Sequence, residues 1–197
     1  MRLILASQSA ARRHMLSAAG VGFECVSPAI DEDAVKARLR RERVSPCALA
    51  GRLAEAKALG TPAKAEDLVI GADQILECDD GSTLDKPGSR AQALAQLRLL
   101  SGKRHFLHSA AAIAEGGEIV WRGAETAALT VRALSAGFLE TYLDAEYEAV
   151  RDSVGAYHVE GRGVALFAGI EGSHFAILGL PLLPLLGYLR ARGVAAS

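Results

Sequence analysis

Leu3-Ile4-Leu5-Ala6-Ser7-Gln8-Ser9-Ala10-Ala11-Arg12-Arg13 is the stretch that decides the fold class. Its short apolar run ends at Ser7 and predicts a buried strand. Ser9 then has the chemistry of an N-cap, because its hydroxyl can accept a free backbone N–H of a helix's first turn. The spacing predicts a helix from Ala10 to about Ala19, stopped by Gly20. A buried strand feeding directly into a capped helix is the unit from which α/β proteins are built.

The same alternation continues outward from this stretch. Phe23–Ser27 reads as a second strand, followed by an acidic loop, Asp31-Glu32-Asp33. Helices are predicted over 34–43 and from the Ser45 cap, through Pro46, to Gly60. Leu68-Val69-Ile70-Gly71-Ala72 is a third buried strand that delivers Asp73 at its C-terminal end. Asp79-Asp80-Gly81-Ser82 is a turn signal between short extended segments. Ser89 caps a helix to Leu100. Residues 106–114 and 119–131 read as a strand pair joined at Gly116-Gly117, and Ser135 caps a helix to about Ala145. Residues 164–170 read as a strand and 181–192 as the closing helix. The pattern predicts an α/β protein with a mixed central sheet flanked by helices, built as one domain over 1–197 with room for two lobes.

Composition narrows the function. Half of the 197 residues are hydrophobic and 23% are charged, as in an ordinary globular protein with a full core. The net charge of −1 and the dispersed cations argue against a nucleic-acid-binding protein. The run Arg38, Arg40, Arg41 and Arg43 reads as a solvated helix face. Three widely spaced cysteines, with no Cys-x-x-Cys pair, point to reduced thiols and a cytoplasmic protein rather than a zinc site. Phe175–Leu189 is apolar but short and broken by Gly179, Pro181, Pro184 and Gly187, so it reads as core strand and helix, not as a membrane span.

Three places can carry chemistry. The Ser7–Arg13 turn offers free N–H groups at a helix N-terminus, two hydroxyls and the Arg12 guanidinium, which together suit a phosphate; a plain capped surface helix has the same local pattern. Asp73, ending a strand, is placed to hold a metal or take a proton from water, or merely to bond a neighbouring backbone group. Lys86 in Asp85-Lys86-Pro87, and Lys57 on a helix, can act as point charges on phosphate or be ordinary surface lysines. Asp31-Glu32-Asp33 supplies hard oxygen ligands suited to Mg²⁺ or Mn²⁺. No Gly-x-x-x-x-Gly-Lys-Ser/Thr loop and no Gly-x-Ser-x-Gly elbow occurs. His105 and His108, three apart on one strand, face opposite ways and read as structural or surface residues.

Taken in order, these pieces resemble the Maf family of nucleoside-triphosphate pyrophosphatases over nearly the whole chain. Leu5-Ala6-Ser7-Gln8-Ser9 with Arg12 is similar to the family's opening phosphate-binding turn, and Asp31-Glu32 to its acidic loop. Leu53-Ala54-Glu55-Ala56-Lys57-Ala58 resembles its lysine helix, Gly71-Ala72-Asp73-Gln74 its catalytic segment, and Asp85-Lys86-Pro87 its second lysine loop. Leu100-Ser101-Gly102-Lys103-Arg104-His105, Gly155-Ala156-Tyr157 and Gly179-Leu180-Pro181-Leu182 are similar to its remaining signatures.

The resemblance implies a fold like that of the inosine triphosphatases, with two lobes around a cleft, and a homodimer. It implies that Asp73 is the proton acceptor, near a divalent metal (Mg²⁺ or Mn²⁺) shared with Glu32. Ser7, Ser9, Arg12, Lys57 and Lys86 would hold the triphosphate of a nucleotide substrate. Ala11, Gln74 and Glu160 stand where the thymidine/uridine-preferring branch has Arg, Thr and Gln; Gln74 and Glu160 resemble instead the branch acting on 7-methyl-GTP, which also lacks that Arg, whereas Ala11 is not the bulky residue of that branch. A carboxylate at 160 can accept from a guanine N1–H and N2–H₂ edge and favours a cationic methylated base. The alternatives are dTTP/UTP hydrolysis within the family, a related pyrophosphatase for deaminated purines such as ITP or XTP, and a non-catalytic regulator of septum formation.

Overall fold

The computed structural model describes residues 1–195; the last two residues of the predicted 1–197 domain, Ala196 and Ser197, lie outside the described ones. The elements run β1 (Leu3–Ala6), α1 (Ala10–Ala18), β2 (Glu24–Cys25), α2 (Glu32–Arg41), α3 (Pro46–Leu59), β3 (Leu68–Cys78) and β4 (Thr83–Leu84). There follow α4 (Arg90–Leu100), β5 (Arg104–Glu115), β6 (Glu118–Val131), α5 (Ala136–Val150), a 3-10 helix (Arg162–Leu166), β7 (Phe167–Glu171), α6 (His174–Ile177) and α7 (Leu182–Ala191). The seven strands form one sheet in the order β2-β1-β3-β5-β6-β7, with β4 added to β3. β1 is parallel to both β2 and β3, whereas β3–β4 and β6–β7 are antiparallel, so the sheet is mixed as predicted. No described helix is long and apolar enough to cross a membrane.

The chain divides into two compact units. The first comprises Met1–Gln74, His108–Thr126 and the residues from Ser173 on; the second comprises Ile75–Leu107 and Ala127–Gly172. In the first unit, side chains alternate across the strands. Leu5, Ile70 and Ile113 pack on one face with Leu16 of α1 and Leu185 and Leu189 of α7. Ile4, Ala6, Val69 and Ala114 pack on the other with Ala58 of α3. β1 is buried along its whole length, as a strand covered on both faces must be. In the second unit, Arg90 on α4 bonds Glu140 and Asp144 of α5, and Tyr157 stacks edge-on against Phe167.

All four serine caps are used. Ser9, Ser45, Ser89 and Ser135 accept the backbone N–H of Arg12, Ala48, Gln92 and Phe138, each worth about 1 kcal/mol of helix stability.

Six expectations change. Asp31–Asp33 is not a loop: Asp31 caps α2 by accepting from Ala34 N–H at 2.9 Å, and Glu32 and Asp33 occupy the first turn, where the helix dipole favours carboxylates. β3 does not stop at Ala72 but runs to Cys78, because Ile75, Leu76 and Cys78 are buried and Leu76 and Glu77 pair with β4. Asp73 therefore lies mid-strand. The second strand shrinks to Glu24–Cys25, and α5 extends to Val150, whose side chain is buried. Residues 162–166 curl into a 3-10 helix before β7, since Gly163 lies against the backbone of His158, where a Cβ would meet its carbonyl oxygen at 2.4 Å. Residues 175–189 are helical on either side of Gly179, with no strand.

Candidate active site

Ser7, at the exit of β1, is buried, and its hydroxyl oxygen accepts from Ser9 N–H at 3.3 Å and from Arg12 Nη1 at 3.2 Å. Arg12, in the first turn of α1, also donates from Nη1 to the Ala72 carbonyl at 3.0 Å and from Nε to the Gly179 carbonyl at 2.8 Å. The guanidinium thus ties three segments together: the opening turn, the residue before Asp73 and the loop entering α7. Gly179 suits that place by its backbone, whose φ of +99° a residue with a side chain rarely adopts; a Cβ there would be in ordinary contact with Arg12. Burial lowers the guanidinium pKa, and the carboxylates of Asp73 and Glu32 oppose that shift.

Asp73 meets its partner because α3 lies unusually close to β3. A Cβ on Gly71 would fall 2.0 Å from the Ala54 carbonyl oxygen and 2.5 Å from Ala58 N, so only glycine permits the helix to rest on the strand. Lys57, one turn beyond Ala54, then reaches Asp73 Oδ1 at 2.6 Å and Glu32 Oε2 at 2.8 Å. The side chains of Lys57 and Asp73 are 9% and 8% exposed, while Glu32 is 41% exposed. One ammonium therefore sits between two carboxylates, with the buried pair on the inside and Glu32 at the rim. At these distances, away from water, the charges attract far more strongly than they would on the surface.

Gln74 follows Asp73 on β3 and points to the opposite face. Its amide nitrogen bonds Ser109 Oγ at 3.0 Å and the carbonyls of Ala176 and Ile177 at 2.9 and 3.0 Å. Ala11, partly buried, lies in the first turn of α1. The first unit thus holds two bonded groups, Ser7 with Arg12 and Lys57 with Glu32 and Asp73, related through the bond from Arg12 to the Ala72 carbonyl, with Ser9, Ala11 and Gln74 beside them in the chain.

The other two predicted residues belong to the second unit. Lys86 is exposed in the loop before α4, next to buried Pro87. Glu160 is exposed in the turn before the 3-10 helix. The loop that carries Glu160 is pinned along its length. Ser153 Oγ lies 2.7 Å from His158 Nε2, and Tyr142 donates to the Ala156 carbonyl at 3.3 Å. Tyr157 OH lies 2.7 Å from Nε2 of the fully buried His105. Ala156, buried, takes the left-handed conformation at φ 57° that side chains other than glycine's disfavour. His105 is thus a structural histidine, and burial pushes its pKa down to about 4.

The Maf-like protein family model matches residues 2–192. The chain belongs to the Maf family. A relative from Caulobacter vibrioides named nucleoside triphosphate pyrophosphatase is 50% identical over 189 residues, which is 96% of this chain and 94% of the relative. Relatives of the same name from Rhodopseudomonas palustris and Sphingopyxis alaskensis are 48% and 44% identical. These cover 98% and 99% of this chain and 95% and 99% of the relatives.

As a Maf protein the chain is expected to use a divalent cation. Among the described residues, no three His, Cys, Asp or Glu side chains gather where an ion could sit. The donor set is two carboxylates converging on one point, which Lys57 Nζ marks. That set fits a hard cation that keeps several waters and takes its other ligands from substrate phosphates, as Mg²⁺ does. It does not fit an all-protein cage.

Sequence reasoning missed three members of the site. Ser109 sits in an apolar stretch of β5 with no motif of its own. Gly71 and Gly179 lay inside quoted motifs, but only the structure shows why each lacks a side chain, the first for space and the second for its backbone angle.

Proposed function

We propose that this Maf protein is a nucleoside triphosphate pyrophosphatase that cleaves between the α- and β-phosphates and prefers 7-methyl-GTP. The observation that carries the reaction type is the grouping of Asp73, Lys57 and Glu32 beside the Ser7–Arg12 turn. Carboxylates able to accept a proton or hold a cation stand next to cations and hydroxyls able to hold phosphate.

In this reading Asp73 takes a proton from water, whose oxygen forms the new bond to the α-phosphorus. The bond from that phosphorus to the bridging oxygen breaks, and the electron pair leaves with pyrophosphate. Lys57 has to release at least one of its carboxylates to neutralise the charge that develops on the phosphates. Ser7 and Ser9, Nη2 of Arg12 and Lys86 add donors to the triphosphate. A cation held by Glu32 and Asp73 would polarise the phosphoryl oxygens and shield the leaving group. The base preference rests on Ala11, Gln74 and Glu160: Glu160 presents two acceptors on a pinned loop, which suits the donor edge and positive charge of a 7-methylguanine. The whole chain acts as one domain in the cytoplasm and, as the resemblance implies, as a homodimer.

Pyrophosphate release from a panel of canonical and modified nucleotides, with Mg²⁺ or Mn²⁺ and then with chelator, tests the reading. Metal-dependent release strongest with 7-methyl-GTP supports it. Strongest release with dTTP, UTP, ITP or XTP overturns the base preference and keeps the reaction. Release from none, together with an Asp73→Asn variant indistinguishable from wild type in partner binding, transfers the chain to a regulatory role. An enzyme should lose turnover in Asp73→Asn and still bind nucleotide.

A further inference from the structure

The Gln74 amide is held in one orientation by the protein. Its nitrogen faces three acceptors: Ser109 Oγ at 3.0 Å, the Ala176 carbonyl at 2.9 Å and the Ile177 carbonyl at 3.0 Å. A flipped amide would set its oxygen against two carbonyl oxygens, neither of which can donate, so the network itself decides which end is nitrogen. Ser109 is fully buried and donates its own proton to the Ala176 carbonyl at 2.6 Å. With its hydrogen committed, the hydroxyl can face Gln74 only as an acceptor. Each link therefore orients the next: the Ala176 carbonyl sets the Ser109 hydroxyl, and that hydroxyl with the Ala176 and Ile177 carbonyls sets the Gln74 amide.

This leaves Gln74 Oε1 on the opposite branch of the amide, taking no hydrogen bond among the described residues and not buried. It lies one residue from Asp73 along β3, on the other face of the strand. A free glutamine offers a ligand a donor or an acceptor at little cost by turning over. This one offers an acceptor alone, because turning over would break three bonds.

We propose that Ser109 is a positioning residue for nucleotide recognition, fixing Gln74 so that its Oε1 accepts from an N–H or O–H of the nucleoside. The inference rests on the pyrophosphatase reading above and adds to it a residue that touches no nucleotide. Two kinds of donor share this chemistry, a ring N–H of the base and a ribose hydroxyl. A site built around a fixed acceptor rejects an analogue whose donor is missing, since the acceptor is then left without its partner.

The test compares kcat and KM for GTP with those for 1-methyl-GTP, 2′-deoxy-GTP and 3′-deoxy-GTP, in wild type, Ser109→Ala and Ser109→Thr. Wild type should lose about tenfold or more in kcat/KM on at least one of the three analogues, and the analogue whose penalty changes in Ser109→Ala identifies the donor to Gln74, since Glu160 also accepts from N1–H in the reading above. In Ser109→Ala the penalty should shrink about 3- to 10-fold, as expected for one lost hydrogen bond, with the change falling on KM. Ser109→Thr keeps the hydroxyl and should restore the penalty. A full penalty retained in Ser109→Ala, or no penalty on any analogue in wild type, overturns the proposal.

Side-chain amide exchange, followed by NMR on ¹⁵N-labelled protein without nucleotide, reads the lock directly. The Gln74 NH₂ should exchange slowly in wild type and Ser109→Thr and faster in Ser109→Ala. Equal exchange in all three sinks the proposal even in a protein that hydrolyses nucleotides normally. Slow wild-type exchange in a protein that hydrolyses none leaves the lock standing and the pyrophosphatase reading fallen.

Discussion

Lys57 Nζ bonds Asp73 Oδ1 at 2.6 Å across a helix–strand contact, 16 positions apart in the chain and almost wholly out of water. Glu32 shares the same ammonium from the rim. Removing the cation leaves two carboxylates facing each other, one of them buried. Lys57→Met should therefore cost about 3 kcal/mol of stability, measured by urea denaturation at pH 7. Pyrophosphate release should fall at least about 100-fold. Adding Asp73→Asn should return part of the lost stability and none of the activity. A single variant as stable as wild type would mean that the pair is solvated in solution.

Gly71 sets the depth at which α3 rests. Its φ is not in the left-handed region, so space alone forbids a side chain. Gly71→Ala should lift α3 and cost about 3 kcal/mol, and it should lower activity further than the stability loss explains, because Lys57 moves with the helix. Gly51 lies in the same helix, where an added methyl meets nothing within 4 Å. Gly51→Ala should be neutral or stabilise by up to about 1 kcal/mol. Equal effects from the two substitutions would remove the close contact as the explanation.

Arg12 holds three acceptors with a planar fork that lysine cannot reproduce. Arg12→Lys keeps the charge and should still cost about 1–3 kcal/mol, with KM for nucleotide raised about tenfold as the turn loosens. Unchanged KM with lowered thermal stability would confine Arg12 to a structural part.

His105 makes stability depend on pH. Its folded-state pKa is pushed down to about 4 by burial, against 6.5 for the free side chain, so between these values the unfolded chain binds the proton and the folded chain does not. Stability should accordingly be full above pH 6.5 and fall as the pH drops toward 4, by up to about 3 kcal/mol in total. A urea-midpoint series over that range, compared with His105→Gln, checks it. The variant should show a flatter profile, and parallel profiles would place the acid sensitivity elsewhere.

The strand–cap–helix chemistry was legible because it is local. Ser9, Ser45, Ser89 and Ser135 each cap the helix that their position announces. Ser7, Arg12, Lys57 and Asp73 stood out as polar residues at the ends or on the faces of apolar elements; Ser7 bonds Arg12 and Lys57 bonds Asp73. Asp31–Asp33 was misread as a loop because a helix N-terminus and a surface turn use the same residues; what separates them is the Asp31–Ala34 bond. The length of β3 was hidden because Gln74 and Glu77 interrupt its apolar run, while its continuation depends on pairing with β4. Ser109 and Gly179 owe their significance to Gln74 and Arg12, which lie far away in sequence.

That distance has a consequence for the chain as it is made. Arg12 waits for Gly179, 167 residues later, and Gln74 for the carbonyl of Ala176, 102 residues later. Chains emerge from the ribosome amino end first, and their early parts begin to fold before the rest exists. A growing chain can already have β1, α3 and β3, yet its opening turn stays unfastened until Gly179 has emerged. The opening turn and Gln74 thus wait for residues 176–179, and a product cut short before residue 176 would carry Asp73 and Lys57 without the fittings that steady them.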